Sequence, residues 1–132
     1  MRVLIVEDDF TSRRLMQKFL SPYGDCDVAV NGVEAIRAFN IALGENEPYN
    51  LVCLDIMMPG VDGQGALKTM RGMERDFNVG RQDEAKIFMT TALDSAKDVL
   101  DAYYRGGCTE YLVKPIDKKK LLGLLKEHGL ME

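Results

Sequence analysis

Five short apolar segments, each followed by a stretch of helical periodicity, constrain the fold of this 132-residue chain more than any other feature. Apolar runs of four to six residues are typical of strands buried on both faces, and apolar residues spaced three or four apart are typical of helices that cover a sheet. The predicted strands are Arg2–Val6, Cys26–Val30, Leu51–Leu54, Lys86–Thr90 and Thr109–Val113. This alternation predicts a doubly wound α/β fold with a parallel sheet.

Each predicted strand is followed by a helix whose apolar residues share one face. Asn31 with Glu34 three residues later predicts a capping box for the second helix, and Asp117 is the predicted cap of the last helix. Asp94 or Ser95 is the predicted cap of the fourth helix. The residues predicted to face the core are Leu15, Met16, Phe19 and Leu20 in the first helix, Ile36, Phe39 and Leu43 in the second, Leu67, Met70, Met73 or Glu74, and Phe77 in the third, Val99, Leu100 and Tyr103 in the fourth, and Leu121, Leu124 and Leu125 in the fifth.

Length and charge limit the classes of protein to consider. A chain of 132 residues fits one domain, residues 1–132. A formal net charge of −4 argues against direct nucleic-acid or membrane partners. No apolar run approaches the roughly 20 residues of a membrane helix, and the start does not resemble a secretion signal. Three cysteines without metal-type spacing predict small core side chains in a reducing compartment, so we expect a cytoplasmic protein.

Polar residues that follow the predicted strands are the candidate functional residues. Glu7 and Asp8 follow the first strand, Asp55 follows the third, Thr91 lies at the end of the fourth and Lys114 follows the fifth. In a flavodoxin-like sheet of strand order 2-1-3-4-5, a crevice opens between strands one and three at their carboxyl ends. We therefore expect the three carboxylates to meet in this crevice.

This set of residue types suits phosphoryl chemistry. Clustered carboxylates repel one another unless they share a cation, and Mg²⁺ is the cation that such oxygen ligands favour. A hydroxyl group, an ammonium group and a divalent cation can together stabilise a phosphoryl group. A carboxylate among them can act as the nucleophile and form an acyl phosphate.

The same segments resemble the receiver domains of two-component response regulators, and the organisation is similar to that of the single-domain chemotaxis regulators. Val3–Asp9 resembles the first-strand signature with its acidic pair, and Asp55–Gly63 is similar to the segment around the phosphoacceptor. Thr91 and Ala92 match the family's hydroxyl residue and the small residue after it. Lys114 and Pro115 match the family's lysine–proline pair. The resemblance covers essentially the whole chain.

The resemblance implies a mechanism and partners. Asp55 would accept a phosphoryl group from a sensor histidine kinase or a histidine phosphotransfer protein. Mg²⁺ would be held by Asp8, Asp55 and the main-chain carbonyl of Met57, with Glu7 acting mainly through water. Lys114 would complete the site through a cis peptide bond to the proline that follows. Such a domain catalyses only its own phosphorylation and dephosphorylation, so it is not an enzyme in the usual sense.

The resemblance also implies a switch. On phosphorylation Thr91 would move toward the phosphoryl group and Tyr111 would turn inward. This change would reshape the face formed by the fourth helix, fifth strand and fifth helix, which a downstream effector protein would read. Met57 and Leu93 flank the path of attacking water in this family, and both are apolar here, which predicts slow dephosphorylation. We expect no output domain within 1–132, and a fragment of a longer or hybrid protein remains open.

Three alternatives remain to be weighed. A phosphohydrolase with an aspartyl nucleophile typically carries a second Asp two residues on, where this chain has Met57. A nucleotide- or flavin-binding domain would need a glycine-rich loop where Glu7 and Asp8 stand. A scaffold that resembles a receiver would have lost part of the site.

Asp9 is expected to begin a loop or cap the first helix, and His128 is expected at the surface, at the negative end of the last helix.

Overall fold

The computed structural model describes residues 1–58, 60–91 and 107–132. The predicted fourth helix, with Asp94, Ser95 and its predicted inward residues, lies outside the described residues, as do Ala92 and Leu93. The strands are β1 (Arg2–Val6), β2 (Asp25–Ala29), β3 (Leu51–Asp55), β4 (Lys86–Thr91) and β5 (Glu110–Val113). The described helices are α1 (Phe10–Leu20), α2 (Gly32–Gly44), α3 (Gly63–Asp76) and the C-terminal helix (Lys118–Glu127), with a 3₁₀ turn at Arg81–Asp83.

The five strands form one sheet of order β2-β1-β3-β4-β5, in which every neighbouring pair is parallel. This confirms the predicted flavodoxin-like order. The predicted strand bounds are wrong by one residue at several ends, where main-chain pairing sets the limit. Asp55, for example, still pairs with Thr90 and so belongs to β3.

Polar side chains cap the start of each described α-helix. Asp9 accepts a hydrogen bond from the Ser12 N–H at 2.9 Å, which confirms it as the cap of α1. Asn31 accepts from the Glu34 N–H at 2.8 Å, and Glu34 in turn accepts from the Val30 N–H at 3.1 Å. The predicted cap is therefore present, but Glu34 bonds the N–H of the residue before Asn31, whereas in a capping box it would bond that of Asn31 itself. Asp62 and Asp117 cap α3 and the C-terminal helix.

Two apolar layers cover the sheet. One layer packs β-strand residues against α2 and α3 through Phe39, Leu67 and Met70, and the other packs them against α1 and the C-terminal helix through Leu20 and Leu125. The described parts of both layers follow the predicted helical faces. None of the described helices is long and apolar enough to cross a membrane.

Two residues predicted to face the core are exposed. Leu15 lies at the rim of the crevice between α1 and the segment after β5, where it is 40% exposed. Phe77 lies beyond the last residue of α3, so its side chain no longer follows the apolar face of that helix. The sequence left undecided whether Met73 or Glu74 faces the core. In the structure Met73 packs against the core, and Glu74 is also buried.

His128 is only partly the surface residue that the sequence predicts. It caps the C-terminal helix, as expected, but it is half-buried, with its Nε2 atom 3.0 Å from the Glu110 Oε1 atom. Its ring lies 5.7 Å from that of Phe88. The prediction was wrong about exposure because the end of this helix packs back against β4 and β5.

The three cysteines are free thiols. Burial raises the pKa of Cys53 to about 12 and that of Cys108 to about 11. Cys26 is half-buried beside the second apolar layer. The interpretation as small core side chains is confirmed for Cys53, whereas Cys26 reaches the core only in part.

Candidate phosphoryl-transfer site

The main chain fixes the strand ends that carry the candidate residues. Val6 pairs with Leu54, so Glu7 and Asp55 follow at corresponding positions of β1 and β3. Beyond the paired segment, the Glu7 N–H donates to the Ala29 carbonyl at 3.1 Å. These contacts place Glu7 and Asp55 side by side at the carboxyl edge of the sheet, where the sequence predicted a crevice.

Three carboxylates converge in this crevice. Single carboxylate oxygens of Glu7, Asp8 and Asp55 all lie within 4.8 Å of one another. Glu7 and Asp55 are buried, whereas Asp8 is exposed. An all-oxygen donor set that is partly buried and partly open to water suits a hard divalent cation such as Mg²⁺, which keeps several water ligands. The residues present therefore fit the predicted metal.

Lys114 bridges the two buried carboxylates. Its Nζ atom lies 2.6 Å from the Glu7 Oε1 atom and 3.3 Å from the Asp55 Oδ2 atom. The Lys114 N–H donates to the Thr91 carbonyl at 2.7 Å, which anchors the end of β5 beside β4. The Lys114–Pro115 peptide bond is cis, as the resemblance implies.

Proximity shifts the pKa of both members of the Glu7–Lys114 pair. Burial, together with a hydrogen bond to Asp55, raises the pKa of Glu7, although Lys114 opposes this effect. Burial disfavours the charged Lys114 ammonium, but the hydrogen bond to Glu7 and the charges of Asp55 and Glu7 outweigh it and raise its pKa. Lys114 is therefore cationic at neutral pH and neutralises part of the carboxylate charge.

The loop after β3 folds back over Asp55. The Met57 N–H donates to the Asp55 Oδ1 atom at 3.1 Å, and the Gly63 N–H donates to the Ile56 carbonyl at 3.0 Å. A Cβ atom at Gly63 would lie 2.3 Å from the Asp55 carbonyl oxygen, so only glycine permits this approach. Met57 is 63% exposed. The role of its carbonyl as a metal ligand stays a prediction.

Of the predicted switch residues, Thr91 lies at the same edge of the sheet and Tyr111 lies within β5. Thr91 is buried at the end of β4, one residue beyond Thr90, which pairs with Asp55. Tyr111 is half-buried on β5 and packs against the apolar layer that faces α2 and α3. Their movement on phosphorylation stays a prediction.

Arg13 is a contact of the site that the sequence reasoning missed. Its guanidinium donates to the Glu7 carbonyl at 3.0 Å and approaches the Asp8 carbonyl at 3.4 Å. The residue lies four positions after the cap Asp9, in the first turn of α1. The sequence signal that could have identified Arg13 is a basic residue in the first turn of the helix that follows Glu7 and Asp8.

Fold and site together define a class of protein. The chain is a doubly wound α/β domain whose strand-end crevice combines three carboxylates with one ammonium group, a set suited to accepting a phosphoryl group. Residues 3–126 match the family described as the response regulator receiver domain, so the chain belongs to that family. Receiver domains are the phosphoacceptor modules of two-component and phosphorelay systems.

Individual relatives agree with this family. The chain is 36% identical over 131 residues to transcription factor prr1 of Schizosaccharomyces pombe, an alignment that covers 98% of this chain and 22% of that protein. It is 32% identical to the probable transcriptional regulator ycf27 of Cyanophora paradoxa, covering 91% of this chain and 44% of that protein. The chain thus spans less than half the length of these curated relatives.

A solved structure supports the same assignment. The co-crystal structure of the Saccharomyces cerevisiae histidine phosphotransfer signaling protein Ypd1 with the receiver domain of its downstream response regulator Ssk1 is similar with a TM-score of 0.81. The identity is 28%, and the alignment covers 99% of this chain and 90% of the matched chain.

Proposed function

We propose that Asp55 is the phosphoacceptor of this receiver domain and that its donor is a phosphohistidine of a sensor histidine kinase or a histidine phosphotransfer protein. The observation that carries the proposal is the position of the Lys114 ammonium, within 3.3 Å of Asp55 and 2.6 Å of Glu7. A structural lysine would not need two buried carboxylates, whereas a phosphoryl site needs both a nucleophile and a fixed cation beside it.

The chain's own residues support each part of the transfer. A carboxylate oxygen of Asp55 attacks phosphorus, an oxygen–phosphorus bond forms, and the phosphorus–nitrogen bond to the donor imidazole breaks with its electron pair going to nitrogen. The Met57 N–H holds the Asp55 Oδ1 atom and so orients the carboxylate. Lys114 lies where it can offset the charge that the phosphoryl oxygens bring.

The metal belongs to the same proposal. Asp8 and Asp55, with the Met57 carbonyl, would hold Mg²⁺, and Glu7 would act through water. When bound, the cation would offset the negative charge of the carboxylates and of the incoming phosphoryl group. Support comes from the three carboxylates of the crevice. Further support is the structure of the receiver domain of sensor histidine kinase PA1611 from Pseudomonas aeruginosa PAO1, whose fold is similar (TM-score 0.77, 23% identity over 97% of both chains) and which has a magnesium ion in its active site cleft.

The output of the switch is proposed on the same basis. Thr91 and Tyr111 transmit phosphorylation to the face that includes β5 and the C-terminal helix, and a downstream effector protein binds there. The domain acts in the cytoplasm, binds neither nucleic acid nor membrane directly, and turns over no substrate besides its own phosphoryl group. The burial of Thr91 and the half-burial of Tyr111 support this proposal, because both can gain or lose contacts when a nearby charge changes.

Intact-protein mass spectrometry tests the proposal. The protein is incubated with acetyl phosphate and Mg²⁺, beside an Asp55→Asn variant and a sample with excess chelator. One added phosphate in the wild type, absent from the variant and from the chelated sample, is the expected result. An adduct that persists in Asp55→Asn would place the acceptor elsewhere. No adduct, together with no binding of beryllofluoride, would favour the scaffold alternative.

A further inference from the structure

The start of α2 contacts the loop that follows the acceptor, and this contact depends on Gly32. Gly32 is buried as the first residue of α2. A Cβ atom built on it would lie 2.3 Å from the Val61 carbonyl oxygen, 2.9 Å from Val61 Cβ and 3.0 Å from Val61 Cγ1. Distances under 3.0 Å to main-chain atoms require the backbone to move. Gly32 does not have a positive φ, so the need for glycine here is close approach alone.

The segment that presents Gly32 is held firmly on its other side. Two hydrogen bonds fix the entrance to α2: the Glu34 N–H donates to Asn31 Oδ1 at 2.8 Å, and the Val30 N–H donates to Glu34 Oε1 at 3.1 Å. The carbonyl of Ala29, the last residue of β2, accepts a hydrogen bond from the Glu7 N–H at 3.1 Å. The start of α2 is thus tied to the strand end that carries two of the three carboxylates.

The loop on the opposite side follows the acceptor Asp55 and carries Met57. It is closed at its base, where Gly63 lies on the main chain of Asp55 and Ile56. Its far part contacts α2 through Val61, next to Asp62, which caps α3. Because the base is fixed, a displacement at Val61 must be taken up between the acceptor and residue 61, which includes Met57.

We infer that Gly32 is a positioning residue for phosphoryl transfer, because its lack of a side chain lets α2 set the distance between the Glu7–Asp8 strand end and the loop that carries Met57. This inference rests on the proposed function of the crevice. A methyl group at residue 32 pushes Val61 away from α2 and separates the groups that share the cation. Altering the hydrogen-bonded partners of metal ligands typically changes metal affinity by 10- to 100-fold, and we expect this packing contact to act at the low end of that range.

Gly32→Ala and a matched control test the inference. Gly44 is the last residue of the same helix, and a Cβ atom there would meet nothing within 4 Å, so Gly44→Ala is the control. The readout is the Mg²⁺ concentration that gives half-maximal phosphorylation by acetyl phosphate. We expect it to rise by about 10-fold in Gly32→Ala and to stay at the wild-type value in Gly44→Ala. A loss of stability alone moves this concentration only by the reciprocal of the folded fraction, which urea unfolding measures separately.

Two further measurements decide the remaining cases. Val61→Ala removes the Val61 side-chain contact without a clash, so it is the second variant if Gly32→Ala does not fold, and it should raise the same concentration by a smaller factor. Amide NMR shifts in metal-free protein report the loop directly, and Gly32→Ala should move those of Met57 and Val61 while Gly44→Ala leaves them in place. Unchanged Mg²⁺ dependence in the folded variants, or unchanged loop shifts, would overturn the inference. If the wild type accepts no phosphate, the proposed function fails, and the NMR comparison alone decides whether Gly32 positions the loop.

Discussion

Replacing the buried Glu74 by Gln should destabilise this domain more than the same replacement of an exposed glutamate would. Glu74 is buried on α3, with a side chain only 4% exposed. Its Oε1 atom accepts from the Arg71 guanidinium at 2.7 Å, and its Oε2 atom accepts from the Ala85 N–H at 2.7 Å. Arg71 in turn donates to the carbonyls of Ala85 and Gly107 at 2.9 and 3.0 Å. One carboxylate therefore holds α3 against the starts of β4 and β5.

The magnitude follows from these contacts. Both donors that face Glu74 need an acceptor, and a glutamine offers one oxygen and one N–H₂ group. One donor is therefore left facing another donor, which costs about 1–3 kcal/mol, and the remaining hydrogen bond is weakened because the carboxylate charge is gone. Arg71 keeps the half-buried Glu84 carboxylate at 3.5 Å, so the loss should lie near the lower end of the about 3–5 kcal/mol that follows when one member of a buried ion pair is removed. Native domains unfold with only about 5–15 kcal/mol, so Glu74→Gln should be marginally folded.

Glu47→Gln is the matched control. The Glu47 carboxylate lies 3.8 Å from an Arg2 guanidinium nitrogen, but its side chain is 74% exposed. Arg2 also contacts the Glu47 main-chain carbonyl, and this contact survives the substitution. The exposed pair should contribute no more than about 1 kcal/mol.

Urea unfolding followed by circular dichroism measures both variants. With a slope of about 1–3 kcal/mol per molar urea, the midpoint of Glu74→Gln should fall by about 2 M while that of Glu47→Gln stays within about 0.5 M. Equal losses in the two variants, or a loss under about 1 kcal/mol in Glu74→Gln, would refute the argument that burial and hydrogen bonding set the difference.

Three further predictions concern pH, helix capping and phosphoryl lifetime. Burial, with a hydrogen bond to Asp27, raises the pKa of Tyr49 to about 12. The unfolded phenol ionises near pH 10, so this stabilisation is complete below pH 10 and is lost as pH rises to 12, with a total of about 2–3 kcal/mol. Unfolding free energies measured across this range should fall more steeply for the wild type than for Tyr49→Phe, and parallel curves would contradict the assignment. Asn31→Ala should lower the unfolding free energy by about 1 kcal/mol and Asn31→Ser by much less, since serine also caps; thermal denaturation checks this, and equal losses would show that the cap bond is unimportant. Met57→Asn combined with Leu93→Glu should shorten the phosphoryl lifetime of the domain, because polar groups can orient the attacking water; the decay of the phosphorylated mass after donor removal measures it, and an unchanged lifetime would reject the idea.

The strand ends of the site could be predicted because they depend on two rules that are visible in sequence. Buried parallel strands are short apolar runs, and the carboxyl ends of such strands meet at one edge. Glu7, Asp55 and Lys114 each follow such a run, so the topology brings them together without information about side-chain packing. Strand order itself came from the fold class, and the structure confirms it.

The supporting contacts could not be predicted because each joins segments whose spacing in sequence carries no periodic signal. Helical periodicity placed residues 73 and 74 near the core boundary but could not choose between them. The burial of Glu74 depends on its bonds to Arg71 and to the Ala85 N–H, and Ala85 is distant in sequence. His128 was assigned to the surface for the same reason, because Glu110 and Phe88 are distant in sequence.

Gly32 shows why this division between strand ends and supporting contacts matters for function. A glycine after a capping Asn looks like an ordinary helix start, and its sequence context gives no indication of Val61. Carboxylates at strand ends can be supplied by any sheet of this order, but their value as a metal and phosphoryl site depends on separations that must hold within about half an ångström. The main chain of β1 and β3 sets one such separation, and the contact of α2 with the acceptor loop sets another. A residue without a side chain can therefore influence the chemistry of the site as strongly as one that carries a charge.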